Sequence, residues 1–545
     1  MNEQTLPPQK RRWDRILLYI TGILVVLLVA GYFIGNAVIR HKTDEALRTL
    51  PPTWQVTYTS LQANILTGSL VLHGLEASFM PEKAHVHKLS VDRLTVGGIH
   101  LLELMTHHRL RIRSIDVNGI SANLDEYLLE KDTSPPAVHL PFTEALIDRL
   151  TLTGLTVKGG EREKKGWSVK GSLELDSVRM ANPEVQGAEK KGVKEGTGVW
   201  GNVEPTAGAV RMLVEKADYP IPGTEETAHL QHLELDSRKR LLRLDSLQIT
   251  PNLDREEIGR LRGHQVDVVK ASSEGIDVKN LDVMALLQQQ LIADEISIRS
   301  NEVHIFRDRR LPLEPGEKAM PVEGLKSMPL SLRVRRLKMG MTTFAYEEFP
   351  KKGHQTGTVT IYRMTGTLAP LINKPVNGDR AYITMTSEGS LMNSGSVTAV
   401  TKMPLHKGDP YVVDGAFHEL DVTKLNNPAE NLGKLHLESG MLNSLAFRFE
   451  MNDNKATGQI IGEYHDLVVD KLKENSDDKK VDKLKSFALK KLIIPRDKDK
   501  SLPVSKRTGK VDYKRDKERY FSYYLLHSLL VGVKSSFSLG FLLPG

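Results

Sequence analysis

Few residues in this chain have the type and spacing to do chemistry, and the nearest approach to a site is His85-Val86-His87. Alternate residues of a strand share a side, so the two imidazoles would supply half of a metal centre. No Asp or Glu pair completes it at a recognisable spacing, and exposed strand histidines are the favoured reading. His107-His108 are adjacent and would point apart on a strand, which makes that pair weaker still. Cysteine is absent, which removes thiol catalysis, disulfides and thiolate metal sites together. Neither a phosphate-cradling glycine loop nor a Gly-x-Ser-x-Gly elbow occurs. The expectation is a protein with no catalytic residues, no metal ligands and no cofactor, hence not an enzyme.

What the sequence does repeat is an arrangement of aliphatic residues: apolar, any, apolar, two of anything, apolar, any, apolar. Instances begin at Leu70, Leu89, Leu110, Leu150, Leu242, Ile276, Leu291 and Leu332. Period-two alternation marks a strand with one dry and one wet face. The step of three slips the phase, so the second pair rejoins the first face only through a bulge or a turn. Many such strands predict a mainly β protein: an elongated, curled antiparallel sheet, as a groove or an open sandwich, with a few short helices. Its aliphatic face must be covered by a second sheet, a helix or an apolar ligand. An acyl chain needs no polar partners there. At about 0.8 kcal/mol per buried methylene, a chain of roughly 14 carbons gains on the order of 10 kcal/mol. The candidate groove residues are Leu110, Ile112, Ile115, Val117, Leu150, Leu152, Ile296, Ile298, Leu332, Val334, Leu445, Phe447 and Phe449.

Residues 16–38 form a run of 23 without a charge. At about 1.5 Å per residue, a helix of this length crosses a bilayer's ~30 Å apolar core. Lys10, Arg11, Arg12 and Arg15 precede it, which places 1–15 in the cytoplasm and the bulk of the chain outside. A cleavable signal peptide, cut near Gly35-Asn36-Ala37, is the rival, but the apolar run exceeds the usual signal core. Of the net charge of +7, residues 471–519 carry 18 Lys+Arg against 9 Asp+Glu. Outside the cytoplasmic membrane, anionic lipid headgroups or polymers suit such a segment better than nucleic acid. A solvated tether explains it as well.

Strands are read at Leu61/Ala63/Ile65, Leu70/Leu72, Leu75/Ala77/Phe79, Leu89/Val91 and Leu94/Val96, with breaks at Gly68 and Gly74. Asn118-Gly119 reads as a tight hairpin turn. The segment from His100 through Leu110 to Ile115/Val117 is echoed about 181 residues later by Asp282 through Leu291 to Ile296/Ile298. Continuing to Ala122/Leu124 and to Val303/Ile305, both read as strand, short helix, strand, strand, which suggests an internal repeat. The alternation Leu445/Phe447/Phe449/Met451 leads into a turn at Asn452-Asp453-Asn454 and a return strand over 460–469. The divisions expected are 45–310 and 330–470 as two β regions, 311–329 as a linker with four prolines between Pro312 and Pro329, and 471–519 as a basic segment with a short amphipathic helix. Residues 520–545 form an apolar, aromatic tail, for which a membrane interface and docking on the protein itself stay open.

In this order of parts the chain resembles the AsmA family of envelope proteins, related to TamB-like and chorein-type bridge proteins. The likeness runs through the anchor, the strands, the short helix at 101–105 and Leu110-x-Ile112-x-x-Ile115-x-Val117. It continues through Gly415, Leu420-Asp421, Leu425-Asn426, Pro428, Gly440, the strand from Leu445 to Met451, Gly458 and Tyr464-x-x-Leu467. Family members often carry proline near the place held by Gly119, a departure here. The resemblance implies a bacterial inner-membrane protein with a single span and a periplasmic β-groove. Such a groove binds or conducts phospholipid and supports the outer membrane. The tail over 520–545 is the expected outer-membrane contact if it does not dock. The family's functional residues form a surface, so none transfers singly. The alternative is an assembly factor that uses open strand edges to guide outer-membrane proteins.

Overall fold

The structure is a computed structural model that describes residues 54–64, 67–82, 85–124, 144–160, 166–181, 206–473 and 505–537, with short pieces at 41, 139–140, 198–199, 480–483 and 486. The predicted anchor at 16–38 and most of the short helix expected within 471–519 lie outside these residues. Among the described residues, no helix is long and apolar enough to cross a membrane. The chain is mainly β, as its alternation predicts, and among the described residues the helices are few and all but the last are short.

Two compact units divide it, Met1–Pro220 with His229–Leu244, and Ile221–Ala228 with Asp245–Gly545. The first holds strands β1 (Trp54–Thr57), β2 (Ser60–Asn64), β3 (Ser69–Glu82), β4 (His85–Ile99), β5 (Arg109–Leu124), β6 (His139–Leu140), β7 (Glu144–Gly159), β8 (Trp167–Ala181), β9 (Gly198–Val199) and β10 (Ala209–Pro220), with helix α1 (Leu101–His107) between β4 and β5. Both β1 and β2 pair with β3, and the ladder continues β3–β4–β5–β7–β8–β10. Strands β11 (Glu226–Asp236) and β12 (Leu241–Pro251) fall across the division.

The second unit continues with α2 (Arg255–Arg262), β13 (Asp267–Lys279), α3 (Val283–Leu287), β14 (Gln290–Asp308), α4 (Pro321–Lys326), β15 (Ser331–Phe349), β16 (Gly357–Ala369), β17 (Leu371–Ile372), β18 (Tyr382–Leu391), β19 (Gly395–Pro404) and β20 (Tyr411–Asp421). It ends with α5 (Asn426–Gly433), β21 (Leu435–Met451), β22 (Lys455–Lys471), β23 (Ser505–Lys514) and α6 (Phe521–Phe537). The ladder runs β13–β14–β15–β16–β18–β19–β20–β21–β22–β23.

The sheet is not wholly antiparallel, which corrects the sequence expectation: β5 runs parallel to β7, and β14 parallel to β15. A parallel neighbour needs a crossover of a dozen or more residues. The 309–330 segment supplies one, so the proline-rich stretch expected as a linker is the bridge between two adjacent strands. It is packed, since Met320 and Val322 join a buried cluster.

These parallel pairs explain the repeated motif. Leu110-x-Ile112-x-x-Ile115-x-Val117 lies beside Ala145-x-Ile147-x-x-Leu150-x-Leu152, residue for residue. In the second unit Leu291-x-Ala293-x-x-Ile296-x-Ile298 lies likewise beside Leu332-x-Val334-x-x-Leu337-x-Met339. Both strands of a pair slip together, so the ladder survives and each apolar set stays on one face. The internal repeat is thus antiparallel strands joined by a short helix, followed by a parallel strand: β4–α1–β5–β7 and β13–α3–β14–β15.

Asn118-Gly119 is not a hairpin turn. Strand β5 runs straight through it, and Gly119 sits at φ 67° opposite Asp92. A Cβ there would collide with the Asp92 carboxylate. On the other side of Asp92 stands Gly74, at φ 60°, inside an unbroken β3. Glycine at positive φ here re-phases a strand without ending it, because the left-handed conformation supplies the slip that the aliphatic pattern needs. The break expected at Gly74 is therefore a bulge, while Gly68 does lie in the turn between β2 and β3.

The Asn452–Asn454 turn and the return strand β22 stand where the sequence placed them. The basic segment is less loose than its composition suggests. Residues 505–514 add β23 to β22, and the Arg515 side chain is 1% exposed.

Candidate functional site

In each unit the register lines apolar residues into rows that cross many strands. The first unit has Leu70, Val96, Ile115, Leu150, Leu175 and Val210 in one row, strand by strand. Leu72, Leu94, Val117, Leu152, Leu173 and Met212 form the next. The candidates Leu110, Ile112, Ile115, Val117, Leu150 and Leu152 all belong to a buried cluster, which also takes in Leu104 from α1. Ile112 is 0% exposed and Leu150 8%. These side chains pack against protein.

The second unit presents its rows differently. Val278, Ile296, Leu337, Leu368, Met385, Thr401, Val413, Phe449, Gly458 and Val511 are paired in succession from β13 to β23. Ile276, Ile298, Met339, Gly366, Ser387, Ala399, Gly415, Phe447, Ile460 and Gly509 form the neighbouring row. No charged residue interrupts either. The register therefore joins candidates far apart in sequence, Ile296 with Phe449 and Ile298 with Phe447. Ile296, Ile298, Leu337, Met339, Leu368 and Met385 are only half-buried, whereas Val413, Phe449 and Ile460 are buried. Leu332 and Val334 are buried too, and Leu445 is half-buried against the cluster around Phe447 and Phe449.

The opposite side of the same strands is wet. Asp277, Ser297, Lys338, Thr367, Thr386, Val400, Asp414 and Arg448 are paired across it. Arg448 donates to Asp414 at 3.0 Å. Lys338 at 3.0 Å and Arg336 at 2.8 Å hold the Glu295 carboxyl below the ordinary carboxylate range. A sheet so divided has one face for water and one that gains by losing it.

Helix α6 covers the β20–β23 end of the apolar face. Phe521, Tyr524, Leu525, Ser528, Leu529 and Val533 recur at helical spacing, and the apolar ones pack on the cluster containing Phe449, Ile460 and Val511. Tyr524 and Ser528 are 0% exposed. The Tyr524 hydroxyl donates to the Asn452 carbonyl at 3.1 Å, and burial raises its pKa. Phe521 meets the Tyr411 ring at 5.4 Å, and burial pushes the Tyr411 hydroxyl up to about 12. The described part of the tail thus docks on the protein, while Leu526 and Leu530 on its outer side remain exposed.

An ion-paired cluster lies at the β13–β15 strand ends. Arg307 holds Asp267 through bonds of 2.7 and 2.6 Å, and the Tyr520 ring stands 4.9 Å from the guanidinium. Burial keeps the Asp267 carboxyl above its ordinary range in spite of Arg307. The Tyr346 hydroxyl donates to Glu348 at 3.0 Å and Arg309 donates to the other Glu348 oxygen at 2.9 Å. Each of these groups faces a partner, so the arrangement locks a corner and leaves none poised to attack a substrate.

The histidines singled out from sequence do not converge. His107 ends α1 and bonds Thr106 Oγ1 at 2.7 Å, and His108 takes φ 52° as the helix closes. The side chains of His85 and His87 lie outside the described residues. Among the described residues, no group of three His, Asp or Glu side chains is placed to hold a metal ion. Sequence reading missed Leu368, Met385 and Val413 as face residues. For Leu368 and Met385 the signal is a lone apolar residue in Thr- and Ser-rich strands, and for Val413 it is one short alternation with Tyr411 before Asp414. Comparison with protein-family models and with curated protein sequences finds no match to this chain.

Proposed function

We propose that this chain is a non-enzymatic, AsmA-like envelope protein that binds or conducts phospholipid along an apolar sheet face. In this reading 16–38 anchors it in the inner membrane, the body lies in the periplasm, and its cargo supports the outer membrane. The observation that carries the proposal is the pair of uncharged rows from β13 to β18, aliphatic but for Gly366 and Ser387, half-exposed except at the buried Val278 and backed by an opposite face that carries charges. Five strands at about 4.8 Å spacing give a strip of roughly 19 Å, the scale of an acyl chain laid across them. If half the surface of some 14 methylenes is covered, the gain is about 5 kcal/mol. That holds a chain without fixing it, as conduction requires.

Lipid extracted from the purified full chain and identified by mass spectrometry tests this. The wild type should carry phospholipid. Ile298→Asp and Leu337→Asp should each lower the bound amount at least fivefold while the thermal midpoint moves by only a few degrees, because both positions already touch water. A lipid-free wild type that captures unfolded outer-membrane protein would sink the lipid reading and favour assembly by strand edges.

A further inference from the structure

The apolar face of the second unit is crossed by an uncharged polar row, set apart from the ion-paired Asp267, Arg307 and Glu348 at the strand ends. Ser273, Asn301 and Thr342 stand opposite one another on β13, β14 and β15. Ser273 Oγ donates to Asn301 Oδ1 at 2.8 Å, and Asn301 Nδ2 donates to Thr342 Oγ1 at 3.0 Å. Thr342 Oγ1 donates in turn to the Gly340 carbonyl at 2.9 Å. On one side the row is bordered by Ile276, Ile298 and Met339, and on the other by Ala271, Val303 and Phe344.

The first unit supplies an internal control. Its β5 makes the same step of three after the motif, from Val117 to Ile120, and both residues are buried in one cluster. The step therefore keeps a side chain on the apolar face. Ile120 occupies in the first repeat the place of Asn301 in the second. Val91 is paired with it as Ser273 is with Asn301, and Leu155 on β7 corresponds to Thr342 on β15. One repeat fills the row with Val, Ile and Leu; the other fills it with Ser, Asn and Thr. The backbone slip does not demand polar residues, and polar groups set among aliphatics cost free energy unless something bonds them.

We propose that Ser273, Asn301 and Thr342 form a hydrogen-bonding station for the ester carbonyls of a diacyl lipid lying on this face. The inference rests on the lipid-binding reading above and names the part of the lipid that is recognised. Thr342 is 4% exposed and orients the amide, while Ser273 and Asn301 are half-exposed and reachable. An amide nitrogen carries two hydrogens, and the bond to Thr342 uses one, leaving the other to meet a carbonyl oxygen. The row carries no formal charge, so it suits a neutral acceptor such as an ester rather than a phosphate. Aliphatic rows on both sides seat the flanking hydrocarbon.

The test loads the purified full chain from vesicles of diester phosphatidylcholine mixed equally with its diether analogue of the same chain length, then weighs the two by mass spectrometry. The wild type should prefer the ester by about five- to tenfold, the scale of one or two hydrogen bonds. The triple variant Ser273→Val, Asn301→Ile, Thr342→Leu copies the first repeat's own residues. It should bind both lipids with the preference gone. Asn301→Ala alone should bring the ratio below about twofold, and serves if the triple variant does not fold. Equal loading of both lipids by the wild type, or a preference that survives these changes, overturns the station while leaving the lipid face intact. Failure of the wild type to load either lipid overturns both.

Discussion

Replacing Ile115 and Ile296 separately by alanine measures how differently the two units treat equivalent residues. Each opens the second half of the motif on the middle strand of its repeat, β5 or β14. Ile115 is 1% exposed within a closed cluster. Its truncation loses the transfer free energy of the removed carbons and leaves a cavity, about 3–4 kcal/mol. Ile296 is half-buried, so it regains less on folding and leaves no sealed void; about 1 kcal/mol is expected. The four tryptophans, at 13, 54, 167 and 200, fall in the first unit's part of the chain. Tryptophan fluorescence in urea therefore follows that unit, and far-UV circular dichroism follows both. Ile115→Ala should lower the fluorescence midpoint by roughly 1–4 M, from urea slopes of about 1–3 kcal/mol per M. Ile296→Ala should leave that transition in place and reduce bound lipid. Equal destabilisation by the two changes would refute the distinction between a sealed face and an accessible one, and with it the proposed lipid strip.

Gly119→Ala puts a Cβ against Asp92 at a left-handed φ and should cost about 2 kcal/mol or more, seen as an earlier fluorescence transition. Arg333 grips Asp379 through bonds of 2.8 and 3.1 Å, with the Val376 amide adding a third at 2.8 Å, and together they hold the carboxyl at about 2. A depressed carboxyl pKa stabilises the fold above the unfolded value near 4, and that contribution fades as pH falls toward 2. Asp379→Asn should therefore flatten the acid limb of the second unit's stability between those values, measured by circular dichroism melts. Arg515 donates to Asp453 at 3.0 Å and to the Lys318 carbonyl, so it ties β23 to the turn after β21 and to the crossover before β15. Arg515→Leu should cost about 2 kcal/mol, since it removes the donor to a half-buried carbonyl, with no change in the fluorescence transition.

Much of the site was legible residue by residue. Alternation placed Phe447 and Phe449 on one face of β21, and the step of three marked where β5 and β14 slip. What reading one strand at a time cannot supply is the neighbour across the ladder. Leu368 and Met385 carry little signal in Thr-rich strands, and they become face residues only because register sets them between Leu337 and Val413. Gly119 misled for a related reason. Asn-Gly suits a hairpin and a bulge equally, and the choice falls to the strands on either side.

Local sequence alone determined that strands would form, which residues share a side within each, and that cysteine chemistry is absent, because side-chain periodicity and residue type are properties of the chain itself. The tertiary structure decided that β5–β7 and β14–β15 run parallel, that α6 covers Phe449 and Ile460, and that Ile115 is sealed while its counterpart Ile296 meets water. Those outcomes depend on which elements pack against a face, and the same aliphatic pattern serves a closed core and an accessible strip alike.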